Sequence, residues 1–295
     1  MRRFFSPRWG KTLKPYLYVS HTLIGLLIFV FGPVAIAFLL SFTKWDLIRA
    51  PVWIGWNNYK DILNSTLFWK VIKNTFYFTL VSVSLGIIVS LSLAIMVNQK
   101  LRGISFFRLI YFLPVVAPMV AVSLVWKWLY NVNFGLINYF LNLIGIQGPN
   151  WLNDTRWAMP AIIVMSIWKM AGYNMIIFLA GLQNIPVELY EAASIDGANR
   201  WRQFWCLTIP LLSPTIFFAL IILFISSFQV FEQTFVMTGG GPYYTTLTLP
   251  LYIYQKSFLW FQIGYGAALS FIFFIIVLIV ILIQFGLENK WVFYR

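Results

Sequence analysis

The chain is short of the residues that most site chemistry needs. Its 295 residues include one cysteine and one histidine. Cys206 alone makes neither an intrachain disulfide nor a cysteine-based zinc site. His21 alone excludes a paired-histidine metal centre, and its apolar surroundings hold no acidic residue that would support a proton relay. Acidic residues number 8, with no carboxylate pair in one apolar run, so a membrane-embedded enzyme would have almost nothing to work with. Charged residues make up 10% of the chain, against about 25% in ordinary globular proteins. Apolar residues take their place, at 61%. A soluble fold of this size could not hide that much apolar surface, so the solvent of this chain is lipid. Many of the 14 Trp and 15 Tyr lie near the ends of apolar runs, where amphipathic rings sit in a bilayer. A net charge of +13 would suggest nucleic acid in a soluble protein. Here basic loops set membrane orientation instead, and no nucleic-acid partner is expected.

Six apolar runs are long enough to span, at about 20 residues each. They cover 17–42, 74–97, 106–130, 158–181, 211–236 and 264–287, and predict an all-α, polytopic membrane protein with six transmembrane helices. Their length argues against barrel strands, which would be short and alternating. Gly32-Pro33, Pro114 and Pro118 are expected inside helices, where neighbouring helices re-satisfy the freed backbone groups. Arg2, Arg3, Arg8, Lys11 and Lys14, with no acid among them, place the arm 1–16 in the cytoplasm. Six spans put both termini there. The expected organisation is a transmembrane domain over 17–288, with external loops at 43–73 and 237–263, a cytoplasmic loop at 183–209, and a tail at 289–295. Lys100, Arg102, Arg200 and Arg202 fall on the inner side. The first external loop breaks the charge pattern with Lys44, Arg49, Lys60, Lys70 and Lys73, and is expected to fold around "WIGWNNYKDIL" (53–63). "MRRFF" is no twin-arginine signal, since the apolar run after it is too long. "WGKT" is no phosphate loop, because Phe5 stands where that loop needs glycine.

One polar stretch stands out between apolar runs, "YEAASIDGANRWRQFWCLTIP" (190–210). A helix is expected to start near Pro186, proline being tolerated in a first turn. Leu189, Ala192, Ala193 and Ile195 give it an apolar side, and Gly197 breaks it where positive φ or close approach is required. "ANRWRQFWCL" is expected to form a second short helix before Pro210. The bland alternative is an amphipathic connector resting on lipid headgroups.

Glu191-Ala192-Ala193, three residues, Gly197, nine residues, Leu207, one residue and Ile209-Pro210 closely resemble the EAA signature of the membrane subunits of ATP-binding-cassette importers. The family pattern ends in isoleucine, any residue, leucine and proline. Leu207 and Ile209 swap its two apolar residues. "FLAGLQNIPVELYEAASIDGA", "MTGGGPYYTTLTLPLYIY" and "WIGWNNYKDIL", with Trp56 in place of a leucine, look like the sugar-uptake branch, the maltose- and glycerol-phosphate-type permeases, and more like its maltose-F-type half. The resemblance covers nearly the whole chain after residue 15. It implies the type I importer permease fold in the cytoplasmic (inner) membrane of a prokaryote. It implies that the polar stretch is a coupling helix docked on a cytoplasmic ATPase, with Glu191, Ala192, Ala193, Asp196 and Gly197 carrying contact and turn. The implied partners are a second homologous permease, two ATPase subunits that bind ATP and Mg, and an external solute-binding protein, all around membrane lipid. The substrate implied is a sugar, oligosaccharide or glycosylated polyol, or alternatively a glycerol-phosphate-type anion. An ion-driven secondary transporter is the competing class, but it would want inverted repeats and intramembrane carboxylates, and Glu232 is the one candidate.

A transporter needs a polar path, and polar groups at membrane depth cost a few kcal/mol each. Gln229, Glu232 and Gln233, spaced i, i+3 and i+4, are expected on one helix face. With Asn174, and with Tyr173 and Phe228 as aromatic surface, they are candidates to line a passage for sugar hydroxyls. The alternative is that Lys169 and Glu232 extend to opposite interfaces and the amides bond neighbouring helices.

Overall fold

The structure is a computed structural model that describes residues 18–99 and 102–293. The basic arm with Arg2, Arg3, Arg8, Lys11 and Lys14, Lys100, and the last two residues of the expected tail lie outside the described residues. Among the described residues, five helices are long and apolar enough to cross a membrane: α1 (Tyr18–Leu40), α3 (Thr66–Val97), α7 (Ala158–Gln183), α9 (Arg200–Phe228) and α12 (Ile263–Trp291). The sixth span is a pair, α4 (Ile104–Val116) and α5 (Met119–Leu129), bent by 99°. Shorter helices are α2 (Asn57–Asn64), α6 (Leu136–Leu143), α8 (Val187–Ile195), α10 (Glu232–Thr238) and α11 (Leu249–Tyr254).

Two compact units divide these elements, one of residues 18–64 and 254–271, the other of 65–253 and 272–293. The smaller unit contains α1, a two-residue hairpin of β1 (Thr43–Lys44) and β2 (Val52–Trp53), and α2. The strands pair antiparallel, Thr43 opposite Trp53. Phe42 anchors this unit, its ring 5.5 Å from Trp53, 5.0 Å from Trp56 and 5.5 Å from Tyr59. Asn58, buried, donates from Nδ2 to the carbonyls of Ser41 and Thr43 at 2.8 and 2.9 Å. The stretch 53–63 is thus a folded element. Within this unit the start of α12 packs on the hairpin at Gly264, where a Cβ would collide with the carbonyl oxygen of Thr43.

In the larger unit, α7 is the centre. Its most apolar window is 61% buried, against 33% for α3 and α9. One core layer joins Phe78, Val122, Ile162, Met165 and Val230. Another joins Ala94, Met175, Phe178, Leu182 and Leu212. Against α4, the approach of α7 is so close that a Cβ on Gly172 would strike the carbonyl of Tyr111.

Three spans differ from the sequence expectation. α3 begins eight residues early, at Thr66, because Ser65 caps it by accepting from Phe68 N at 3.3 Å. Its first turns carry Lys70, Lys73 and Asn74, which hydropathy assigns to a loop. The third span is not one helix. Pro118 is the N-cap of α5 at the bend, not an interior proline. The fifth span starts at Arg200, far before Pro210, and stops at Phe228. A π-helical turn at Phe204–Thr208 lets α9 run through Pro210, which lacks the N–H that an α turn would use.

Candidate functional site

The connector between α7 and α9 is a hydrogen-bonded hook. Pro186 caps α8 in extended conformation, and Asp196 ends it. Gly197 has φ 78°. Its N–H donates to Ser194 O at 3.1 Å, and Ala198 N–H donates to Ala193 O at 2.9 Å. This pair of bonds is a complete Schellman motif, which needs a left-handed residue and favours glycine there. Asn199 then caps α9, accepting from Arg202 N at 2.9 Å. Gln203 reaches back, donating to Ser194 Oγ at 2.8 Å and Ala198 O at 3.1 Å. Tyr190 OH and Thr208 Oγ1 lie 3.0 Å apart. These bonds tie α8 to the start of α9.

Its two faces differ. Leu189 and Tyr190 pack against the core layer of Met175, Phe178 and Leu182, and Ala193 is half-buried beside them. The opposite face shows Glu191, Ala192 and Asp196 to solvent, with Ile195 86% and Trp201 71% exposed. The expected apolar side is thus split: Leu189 and Ala193 face the bundle, while Ala192 and Ile195 face out.

Within the bundle lies a cavity of about 100 Å³, reached by Ser82, Gly86 and Ser90 of α3, Ser166 and Asn174 of α7, and Gln233 of α10. Gln233 Nε2 donates to Ser166 Oγ at 3.4 Å, and Asn174 Nδ2 to Met170 O at 3.2 Å. The buried Oγ atoms of Ser82 and Ser90 and Oδ1 of Asn174 have no hydrogen-bond partner. Buried polar atoms of this kind are normally satisfied, and the residues that carry these three line the cavity. No charged side chain lines it.

Lys169 takes no part in the cavity. It is 5% exposed and its Nζ donates to the carbonyls of Pro114, Val115 and Ala117 at 3.1, 3.3 and 2.8 Å. These are carbonyls orphaned by the α4–α5 bend. The side chain neither extends to an interface nor stands free for a phosphate.

The residues also match a known family along most of the chain. The family described as binding-protein-dependent transport system inner membrane component matches residues 82–292. This chain is a member of that family. The permease is 37% identical over 288 residues to the probable ABC transporter permease protein YesP of Bacillus subtilis (strain 168), covering 96% of this chain and 93% of that one. It is 36% identical over 265 residues to the trehalose/maltose transport system permease protein MalF of Thermococcus litoralis, covering 89% of each. A solved bacterial ABC transporter, involved in the import of the acidic polysaccharide alginate, contains a chain that superposes with a TM-score of 0.84 at 26% identity, over 96% of this chain and 99% of that one. The fold is that of an ABC importer permease, a transmembrane subunit whose ATPase is supplied by separate chains.

Of the six path residues expected from sequence, the permease brings two together, Asn174 and Gln233. The shared helix face of Gln229, Glu232 and Gln233 does not exist. Gln229 is the C-cap of α9, and Glu232 begins α10 after a break at Val230–Phe231. Threonines stabilise that break: Thr248 Oγ1 donates to Val230 O and Thr234 Oγ1 to Phe231 O, both at 2.9 Å. Gln229 and Glu232 are exposed outside the cavity. Phe228 is buried against Phe76, with ring centroids 5.2 Å apart, and Tyr173 lies off the cavity wall. The serines were missed. Ser82-Gly86-Ser90, small residues four apart inside an apolar run, carried the signal, since that spacing puts them on one helix face.

Proposed function

We propose that this permease carries a neutral sugar, oligosaccharide or glycosylated polyol into the cell, driven by ATP hydrolysis on two partner ATPases. The observation that supports the substrate class is the cavity wall of serine hydroxyls and amides without a lining charge. Such groups bond hydroxyls in either direction. Lys169, the cation nearest in sequence, is occupied by three carbonyls. A cavity of about 100 Å³ is well below the ~300–1,000 Å³ of small-molecule sites, so a second, homologous permease completes the passage. Both termini and α8 lie on the cytoplasmic side, and an external solute-binding protein delivers the sugar.

In this reading α8 is the coupling helix. Glu191, Ala192, Asp196 and the exposed Ile195 meet the ATPase, Ala193 holds the helix to the bundle, and Gly197 makes the turn. ATP and Mg are bound by the ATPases. Closure of their dimer moves α8 and α9 as one body and rocks the permease pair between inward-facing and outward-facing states. A second reading, an anionic sugar, draws on the solved relative involved in import of an acidic polysaccharide.

Co-purification of the tagged chain with its neighbouring gene products, followed by sugar uptake in vesicles, tests both parts. Glu191→Ala is expected to lose the ATPase while the permease pair stays intact by size. Retention of a fully coupled ATPase by Glu191→Ala would remove α8 from that role. Uptake confined to acidic sugars would replace the neutral substrate by the second reading.

A further inference from the structure

A cleft of about 680 Å³ opens in the smaller unit, between the β1–β2 hairpin and the start of α12. Its size falls within the ~300–1,000 Å³ of small-molecule sites, unlike the bundle cavity. Its walls are prearranged. Trp45 Nε1 donates to Arg49 O at 2.9 Å, which fixes the indole. The Asp46 carboxylate closes the same turn, accepting from Ile48 N at 3.1 Å and Arg49 N at 2.9 Å. Across the cleft, the Lys256 ammonium sits 4.4 Å from the Trp260 ring centre and 4.8 Å from that of Tyr265. It also donates to Gln262 Oε1 at 3.1 Å. Two aromatic rings of the lining thereby share one cation. Ile263 N donates to Trp45 O at 3.0 Å and joins the walls.

The chemistry of the lining points to one ligand class. Lys44 and Arg49 are balanced by Asp46 and Asp61 on the lining, and Lys256 is engaged by two rings and Gln262, so no cluster of free cations selects phosphate or uronate. What remains is aromatic surface beside carboxylate, guanidinium and amide groups. A pyranose has apolar C–H faces that lie on aromatic rings, and a rim of hydroxyls that both donate and accept. We propose that this cleft is a second carbohydrate site, holding part of a neutral oligosaccharide. It rests on the proposed topology, which makes this face external, and on the proposed substrate class.

Site-specific protection tests it with the full chain in nanodiscs. In a Cys206→Ser background, Ala50→Cys places a thiol on the cleft wall. Ile48→Cys places one on the same turn at a residue 87% exposed and off the wall. Maleimide labelling is followed with maltopentaose, against sorbitol at equal mass. The expected result is at least three-fold slower labelling of Ala50→Cys, no change for Ile48→Cys, and loss of protection when Trp260→Ala or the exposed Asp61→Asn is added. Absent protection, equal protection at both thiols, or protection that survives both added variants overturns the proposal. Protection by a sugar-free binding protein but not by maltopentaose would make the cleft a protein-docking surface and also overturns it. Parallel uptake assays separate the two readings: neutral-sugar uptake without cleft protection sinks the cleft alone.

Discussion

Replacing Lys169 by methionine tests whether a cation can act as a structural staple at membrane depth. The ammonium holds three carbonyls left open where α4 and α5 part at 99°. Each buried carbonyl left unsatisfied costs about 1–3 kcal/mol, so three lose roughly 3–9 kcal/mol. Against this, removing a lysine from the centre of a span recovers about 3 kcal/mol on insertion scales. The net expectation is a loss of roughly 3 kcal/mol, because the freed carbonyls find partial substitutes. For a domain of this size that lowers the thermal midpoint on the order of 5–10 °C. The assay is a thermal melt in mild detergent, followed by the monodisperse fraction on size exclusion, with the exposed neighbour variant Val164→Ala as control. Lys169→Met melting at or above the wild-type midpoint would refute the staple. A wild-type melt combined with lost uptake would make Lys169 a path residue instead.

Gly172→Ala should lower the midpoint by several degrees in the same melt, since its Cβ meets the Tyr111 carbonyl and overpacking costs about 1–3 kcal/mol. Gly197→Ala has open space for its methyl group but a φ of 78°. It should cost about 1 kcal/mol and weaken ATPase retention in a pull-down without unfolding the bundle. Thr248→Val leaves the Val230 carbonyl without its 2.9 Å donor. The melt should fall by an amount matching ~1–3 kcal/mol, and hydrogen exchange at Val230–Phe231 should rise.

Much of this molecule is legible from hydropathy, because lipid rewards apolar length directly. α1, α7 and α12 begin and end within about four residues of the apolar runs that announce them, as spans about 20 residues long should. The turn at Gly197 is legible too, since a left-handed cap is a property of one residue. What the sequence hides is tertiary. Nothing near Pro118 says that a lysine 51 positions on will take up the carbonyls of a bend. The break after Phe228 depends on threonines supplied from 234 and 248, so a periodicity that ignores it puts Gln229, Glu232 and Gln233 on a face that does not form. Polar residues attract attention by type, but the break puts Gln229 on one side and Glu232 and Gln233 on the other, and of the three Gln233 lines the cavity. The serines that line the cavity have ordinary types, and only their spacing speaks.

The unbroken run of α9 has a mechanical consequence. Its 29 residues at 1.5 Å each make a rod of about 43 Å, longer than the ~30 Å hydrocarbon core. One end is clamped to α8 by Gln203 and Tyr190. The other ends at the break just before Gln233. Between them the helix stays continuous through the π turn at Phe204–Thr208, through Pro210 and through Pro214 inside it, the points where a helix of this kind bends. In the proposed coupling role, a displacement applied at the connector travels along this one helix, and the break at its far end lies beside the cavity residue Gln233.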